Sequence, residues 1–272
     1  MSVVADSWRL ALPMYAITPA LGAAWEDVLR AVIAGLRQRG FTGDMQLAAP
    51  TGDLMAWWRA PDMLLSQTCG YPLVTQLQSD VQVLGVLEFD LPGCSGGEYR
   101  SMILVPASGA RSLAALRGAV AVINQWDSHS GMNALRHTMA PLAQQGRFFS
   151  QILVSGSHME SIAMLQRGEA DVAAVDCVTF GLAERAAPDR VAGVRVLQTT
   201  APAPGLPLIT ARALRGDPCQ VLREVLLAVH EQAPDAMRAL AIRRVRAMQL
   251  ADYAPIKRMI QRAADLGYHT LA

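Results

Sequence analysis

Residues 119–186 read AVAVINQWDSHSGMNALRHTMAPLAQQGRFFSQILVSGSHMESIAMLQRGEADVAAVDCVTFGLAERA, and this stretch decides the fold. Three short apolar runs, Ala119–Ile123, Phe149–Val154 and Asp171–Val175, are each followed by a segment of helical periodicity. The helices are expected at Ser130–Ala143, Met159–Arg167 and Val178–Ala186. Strands separated by helices of this kind build βαβ units, and βαβ units build parallel sheets.

The same grammar extends in both directions. Upstream, strands are expected at Trp8–Leu12, Met45–Ala49, Met63–Leu65, Val81–Phe89 and Tyr99–Val105. A helix from about Ala23 to Arg39 places Trp25, Val28, Leu29, Val32, Ile33 and Leu36 on one face and stops at Gly40. A short helix is expected at Thr51–Arg59, with Thr51 as its N-cap. Downstream, Val194–Leu197 reads as a strand, and Pro202, Pro204 and Pro207 mark a crossing. Beyond the prolines the pattern is helical: Pro218–Gln232, Asp235–Val245 and Tyr253–Leu266.

Turn-rich segments near 91–100 and 198–207 bracket an insert. The expected architecture is therefore α/β with two lobes, each a mainly parallel sheet flanked by helices. The first lobe combines 1–95 and 203–272, the second is 96–202, and a two-segment hinge leaves a cleft between them. A single large doubly wound sheet also fits the periodicity.

Composition removes several function classes. The 272 residues carry 24 Lys+Arg against 23 Asp+Glu, so the basic excess of a general nucleic-acid binder is missing. With 17% charged residues and a mean hydropathy of +0.23, the chain is not of the disordered class. The best candidate for a membrane span, Leu10–Trp25, is interrupted by Pro13 and Pro19, so the chain is expected not to span a membrane. The same stretch follows a single basic side chain, Arg9, and lacks the pattern of a secretory leader; a chain complete at Met1 is expected to be cytoplasmic. Cys69, Cys94, Cys177 and Cys219 form no C-x-x-C, and no metal or cofactor motif is present. Cys177 and Cys219 read as buried thiols.

The polar chemistry falls in turns that follow strands. These are 14–18 with Tyr15, 66–71 with Gln67, Thr68 and Tyr71, 124–131 with Ser128, His129 and Ser130, 155–158 with His158, and 176–179 with Asp176. In open α/β sheets ligands bind beyond the carboxyl ends of strands. Hydroxyls, amides and backbone N–H groups at helix starts suit a phosphate-, phosphonate- or carboxylate-like anion. Ser128, Ser130 and Asp176 also suit plain helix caps, and Gln67 and Thr68 plain turns. Catalytic templates are missing: no G-x-S-x-G, no P-loop, no G-x-G-x-x-G and no H-E-x-x-H, so no catalytic residue is assigned.

The run Asp62-Met63-Leu64-Leu65-Ser66-Gln67-Thr68-Cys69-Gly70-Tyr71-Pro72-Leu73 resembles a signature of the phosphate/phosphite/phosphonate substrate-binding proteins of ABC transporters. Tyr99–Val105, Asn124–Gly131, Gly156–Ser161 leading to Gly168–Ala173, and Tyr253–Ile256 agree with it in order, over most of the chain. The resemblance implies the type II periplasmic-binding-protein fold, a small anionic ligand in the cleft, and an ABC transporter permease as partner. It implies that the hydroxyls and amides at Ser128–Ser130 and the imidazole of His158 hold the ligand oxygens, and that Tyr15 or Tyr71 lines the cleft. It also implies a periplasmic location, against the leader reading above. Amino-phosphonate binders carry acids in the second crossing; here it reads Pro204-Gly205-Leu206-Pro207, which argues against a simple 2-aminoethyl phosphonate. Two other classes use the same fold: a cytoplasmic enzyme, resembling menaquinone-pathway or pyrimidine-forming enzymes, and a ligand sensor.

Overall fold

The computed structural model describes residues 7–50 and 52–272. The strands of its two large sheets are, in chain order, β1 (Ser7–Leu10), β2 (Asp44–Leu47), β3 (Met63–Gln67), β4 (Val81–Phe89), β5 (Ser101–Pro106), β6 (Val120–Ile123), β7 (Gln151–Val154), β8 (Val172–Asp176), β9 (Val194–Thr199), β10 (Pro207–Ala211) and β11 (Ile242–Arg246). The chain divides into two compact units: the part up to Asp90 with Pro204–Tyr253, and Leu91–Ala203 with Ala254–Ala272.

The first unit holds a six-stranded sheet in the order β11-β4-β10-β3-β1-β2. β1 runs parallel to β2 and β3, while β10 is antiparallel to β3 and β4, and β11 to β4. Every residue of β3 is buried, as an apolar strand inside a covered sheet should be. The helix Pro19–Gln38 starts on Thr18, whose Oγ1 accepts from the Leu21 N–H at 3.3 Å, with Pro19 in the position that lacks a donor to lose. It buries Leu21, Trp25, Val28, Leu29, Val32 and Leu36. It packs on the helix Asp217–Gln232 at Gly35, where a Cβ would sit 2.9 Å from Val225 Cγ1.

The second unit holds a five-stranded sheet in the order β9-β5-β8-β6-β7. β6 is parallel to β7 and β8; β5 is antiparallel to β8 and β9. Ile103, Leu104, Val105, Val122, Ile123, Val172 and Val175 have no exposed surface, and at roughly 1.5–3 kcal/mol per buried aliphatic side chain they dominate this unit's stability.

The α/β class and the two sheets match the sequence reading, but four expectations change. First, the sheets are mixed rather than mainly parallel, because β4–β10–β11 and β5–β8–β9 are joined by antiparallel returns. Second, residues 254–272, expected in the first lobe, belong to the second unit, so the chain passes between units three times rather than twice. The cause is local. The helix Ala254–Asp265 buries Ile256, Met259 and Ala263, Arg136 donates to the carbonyls of Ile260 and His269, and the Ala272 carbonyl accepts from Phe148 N and Phe149 N. Third, β10 and β11 replace what read as a crossing and as helix. Pro207 occupies the first position of β10, where a missing N–H is tolerated; Ala241, at φ +54°, ends the preceding helix and releases Ile242–Arg246 to pair with β4. Fourth, Thr51 lies outside the described residues; Asp53 caps the short helix Leu54–Arg59, its carboxylate accepting from Met55 N at 2.8 Å.

The edge pair β4–β11 is fastened by Glu88, which is 9% exposed and accepts from Arg244 Nε and, at 3.0 Å, from Arg246. The Arg244 hydrogen bond and then the Arg246 one hold the Glu88 carboxyl below the usual carboxylate range. A depressed carboxylate stabilises the fold above the unfolded pKa of about 4.3, and that stabilisation is lost as pH falls through the lower folded value. Both arginines are partly exposed, so Glu88→Gln is expected to cost about 1–2 kcal/mol at pH 7. Urea unfolding of both proteins from pH 7 to 3 checks this: the gap should close at the acid end, and a gap independent of pH contradicts it.

Candidate functional site

In the second unit β6, β7, β8 and β9 all end on the sheet edge where antiparallel β5 begins. The segments that follow them therefore meet one another and Ser101. Gly131 makes the closest approach: a Cβ there would lie 1.9 Å from Asn124 Oδ1. Only glycine lets the helix start come down on the end of β6.

Ser128 caps that helix, its Oγ accepting from Gly131 N at 3.0 Å. The helix opens with a wide turn, Asn133 N–H donating to the Ser128 carbonyl five residues back at 3.1 Å; such turns recur at functional sites. The Ser101 hydroxyl donates to the Ser130 carbonyl at 2.9 Å and fixes the turn from the β5 side. Ser157 caps the helix His158–Gln166 through Glu160 N, so His158 is that helix's first residue. The two helix starts bring Ser130 Oγ within 2.8 Å of His158 Nε2, with Ser128 Oγ 3.5 Å from Ser130 Oγ. Two hydroxyls and an imidazole thus converge between two helix N-termini. His158 Nδ1 and Asn124 Oδ1 are buried without a hydrogen-bond partner.

His129 and Asp176, the other two candidates in this unit, are both buried. His129 is 2% exposed, its Nδ1 lies 3.1 Å from Asn133 Nδ2 and its ring 6.1 Å from Tyr99. Burial, then the charge of His137, lowers its pKa to about 3. Asp176 Oδ1 accepts from Val178 N at 2.7 Å and Thr179 N at 2.9 Å, capping the helix Cys177–Ala186. It stands opposite Ser101 in the β5–β8 pair.

In the first unit, Tyr15 follows β1, Gln67 ends β3 and Thr68 follows it, and the two strands are parallel neighbours. Tyr15 is buried edge-on against Phe89 at 5.6 Å. Thr68 is buried, its N–H donating to the Pro207 carbonyl at 3.2 Å. Trp57 Nε1 donates to Ser66 Oγ and Trp58 Nε1 to the Gln67 carbonyl, clamping the strand end. The Gln67 side chain is 1% exposed, and neither its Oε1 nor its Nε2 has a partner. An unsatisfied buried amide is costly. Tyr71 is half-buried, in the short helix that follows. A separate cavity of about 310 Å³ lies beside the start of β1, lined by Trp8, Arg39, Phe41 and Arg215, and holds none of these residues.

The sequence singled out Ser128, Ser130 and His158, which the second unit brings together, and Tyr15, Gln67 and Thr68, which the first places at one sheet end. It passed over Ser101, whose role depends on an antiparallel strand, and named Asn124 only as the first residue of the 124–131 turn, since its contact depends on Gly131. Among the described residues no His/Cys/Asp/Glu group is arranged to hold a metal ion, and no helix is long and apolar enough to cross a membrane.

Burial lowers the His158 pKa to about 4. The imidazole is then neutral from pH 5 to 8. An unfolded histidine titrates near 6.5, so this group favours folding above that value and loses its contribution as pH falls toward 4. NMR titration of the His158 ring should show no midpoint between pH 5 and 8; a midpoint near 6.5 contradicts the burial argument.

Comparison with known proteins gives the family and the fold. Residues 61–253 match the family model described as the periplasmic phosphonate substrate-binding protein of ABC transporters. No curated protein sequence matches the chain significantly. Among solved structures, a binding protein component of an ABC phosphonate transporter from Pseudomonas aeruginosa superposes with a TM-score of 0.77 at 13% identity, over 96% of this chain and 88% of that one. The PhnD1 protein of Prochlorococcus marinus, solved with methylphosphonate, gives 0.70 at 15% identity, over 94% and 99%. A Xanthomonas citri protein solved with ATP gives 0.70 at 17% identity, over 97% and 99%. At these identities the structures establish the fold, the type II periplasmic-binding-protein fold, and the family match extends beyond it. The chain belongs to the phosphonate-binding family of ABC-transporter substrate-binding proteins, a family of binders rather than enzymes.

Proposed function

We propose that the protein captures a small oxyanion of the phosphonate or phosphate class and presents it to an ABC transporter permease, with Ser128, Ser130 and His158 holding the anion's oxygens. The observation that carries this reading is the 2.8 Å approach of Ser130 Oγ to a neutral His158 at the meeting of two helix starts. Hydroxyl, imidazole and first-turn N–H donors stabilise an anion without a neutralising lysine. Within the first unit, the unpartnered Gln67 amide, Thr68, Tyr15 and Tyr71 are the candidate ligand-binding groups.

The ligand class is narrowed by charge. Asp176 spends its Oδ1 on two backbone N–H groups, and residues 204–207 contain no acid. A ligand amine finds no counter-charge at 204–207. Methylphosphonate-like or inorganic anions fit better than 2-aminoethylphosphonate.

Thermal-shift titration with phosphate, phosphite, methylphosphonate, a sulfonate and a carboxylate tests the proposal. At least one phosphorus oxyanion should raise the Tm saturably. Ser130→Ala and His158→Gln should each weaken that anion about 10–100-fold, the equivalent of roughly 1.5–3 kcal/mol for a hydrogen bond to a charged group. Absence of any anion effect, or variants that bind like the wild type, contradicts the assignment.

A further inference from the structure

The turn that opens the second unit carries a second thiol against a helix start. Cys94 N–H donates to the Leu91 carbonyl at 3.1 Å, closing a turn through Gly93. Gly93 has φ +90°, and a Cβ there would fall 2.9 Å from Cys177 Cβ and 3.2 Å from its Sγ. At Gly181 a Cβ would fall 3.2 Å from Leu91 Cδ2. Two glycines therefore let the 91–94 turn lie directly on the helix Cys177–Ala186. The result is a Cys94 Sγ to Cys177 Sγ distance of 3.4 Å, with Cys94 half-buried and Cys177 fully buried.

We propose that Cys94 and Cys177 are a redox-responsive pair that closes to a disulfide by exchange with a small-molecule disulfide, fastening the 91–94 turn to the start of the helix Cys177–Ala186. A disulfide needs the sulfurs about 2.05 Å apart. From 3.4 Å closure needs a further approach of about 1.4 Å between the two sulfurs. The chemistry is ordinary exchange. The Cys94 thiolate, the more accessible of the two, attacks one sulfur of the oxidant and expels the other half as a thiol. The Cys177 thiol loses its proton to solvent and attacks Cys94 Sγ in the mixed disulfide, expelling the second half. Two protein thiols are oxidised and one small disulfide is reduced to two thiols. The Cys94 contact, burial and Asp176 push the Cys177 thiol well up, which makes Cys177 the resolving thiol and the second step the slower one. Cys69 and Cys219 lie in the first unit and are outside this contact.

Folded protein incubated with excess oxidised glutathione, then unfolded and alkylated, reads the outcome by intact mass. Two alkyl groups should be taken up instead of four, with a peptide pair linking residues 94 and 177. The Tm of the oxidised form should rise and return on reduction. Cys94→Ser should take up three alkyl groups with and without oxidant. Cys177→Ser should trap Cys94 as its glutathione adduct; if that variant does not fold, Cys94→Ser decides alone. Four alkyl groups on the oxidised wild type, a link between other cysteines, or an unchanged Tm overturns the proposal.

Discussion

The second unit is organised by the absence of one side chain. Because Gly131 has no Cβ, the helix after β6 starts in contact with Asn124, and Ser128 and Ser130 arrive at the strand ends rather than beyond them. The Ser101 hydroxyl on the Ser130 carbonyl then sets the turn's height, and the Ser157 cap sets the start of the next helix. The Ser130–His158 contact is what these three constraints leave. A methyl group at 131 would have to displace Asn124, and overpacking of this kind typically costs about 1–3 kcal/mol.

The resulting site is built from dipoles. A buried lysine or arginine opposite a phosphonate would need desolvating in the empty protein, at a cost of several kcal/mol per ion. Hydroxyls and a neutral imidazole carry no such penalty, and helix N-termini supply partial positive charge that is already oriented. The scarcity of charge, 17% against about 25% in ordinary domains, matches this chemistry and the buried strands of two sheets.

Much of this was legible in the sequence, and what was not has a physical cause. β6, β7 and β8 were readable because each is a short apolar run before an amphipathic helix. Helix starts shifted by a residue or two: Ser128 rather than Ser130 is the cap, since a wide first turn draws the helix back to His129. β10 was hidden by Pro207, which reads as a turn signal but occupies a strand's first position. β11 was hidden because Arg243, Arg244 and Arg246 on an edge strand look like a solvated helix face until Glu88 on β4 pairs Arg244 and Arg246 and Asp90 pairs Arg243. The terminal helix was placed in the wrong unit because its partner, Arg136, lies far away in sequence and has no local signature. Long-range partners such as Ser101 for Ser130, or Cys94 for Cys177, leave no periodic trace.

In the proposed complex the anion sits on the hydroxyl–imidazole cluster of the second unit. A crystal structure of the protein grown with methylphosphonate is the sharpest test. Phosphonate oxygens are expected within hydrogen-bonding distance of Ser128 Oγ, Ser130 Oγ and His158, with the His158 ring still against Ser130. Phosphonate density elsewhere, for example in the cavity beside Trp8 and Arg39, with the Ser130–His158 cluster untouched, would contradict it.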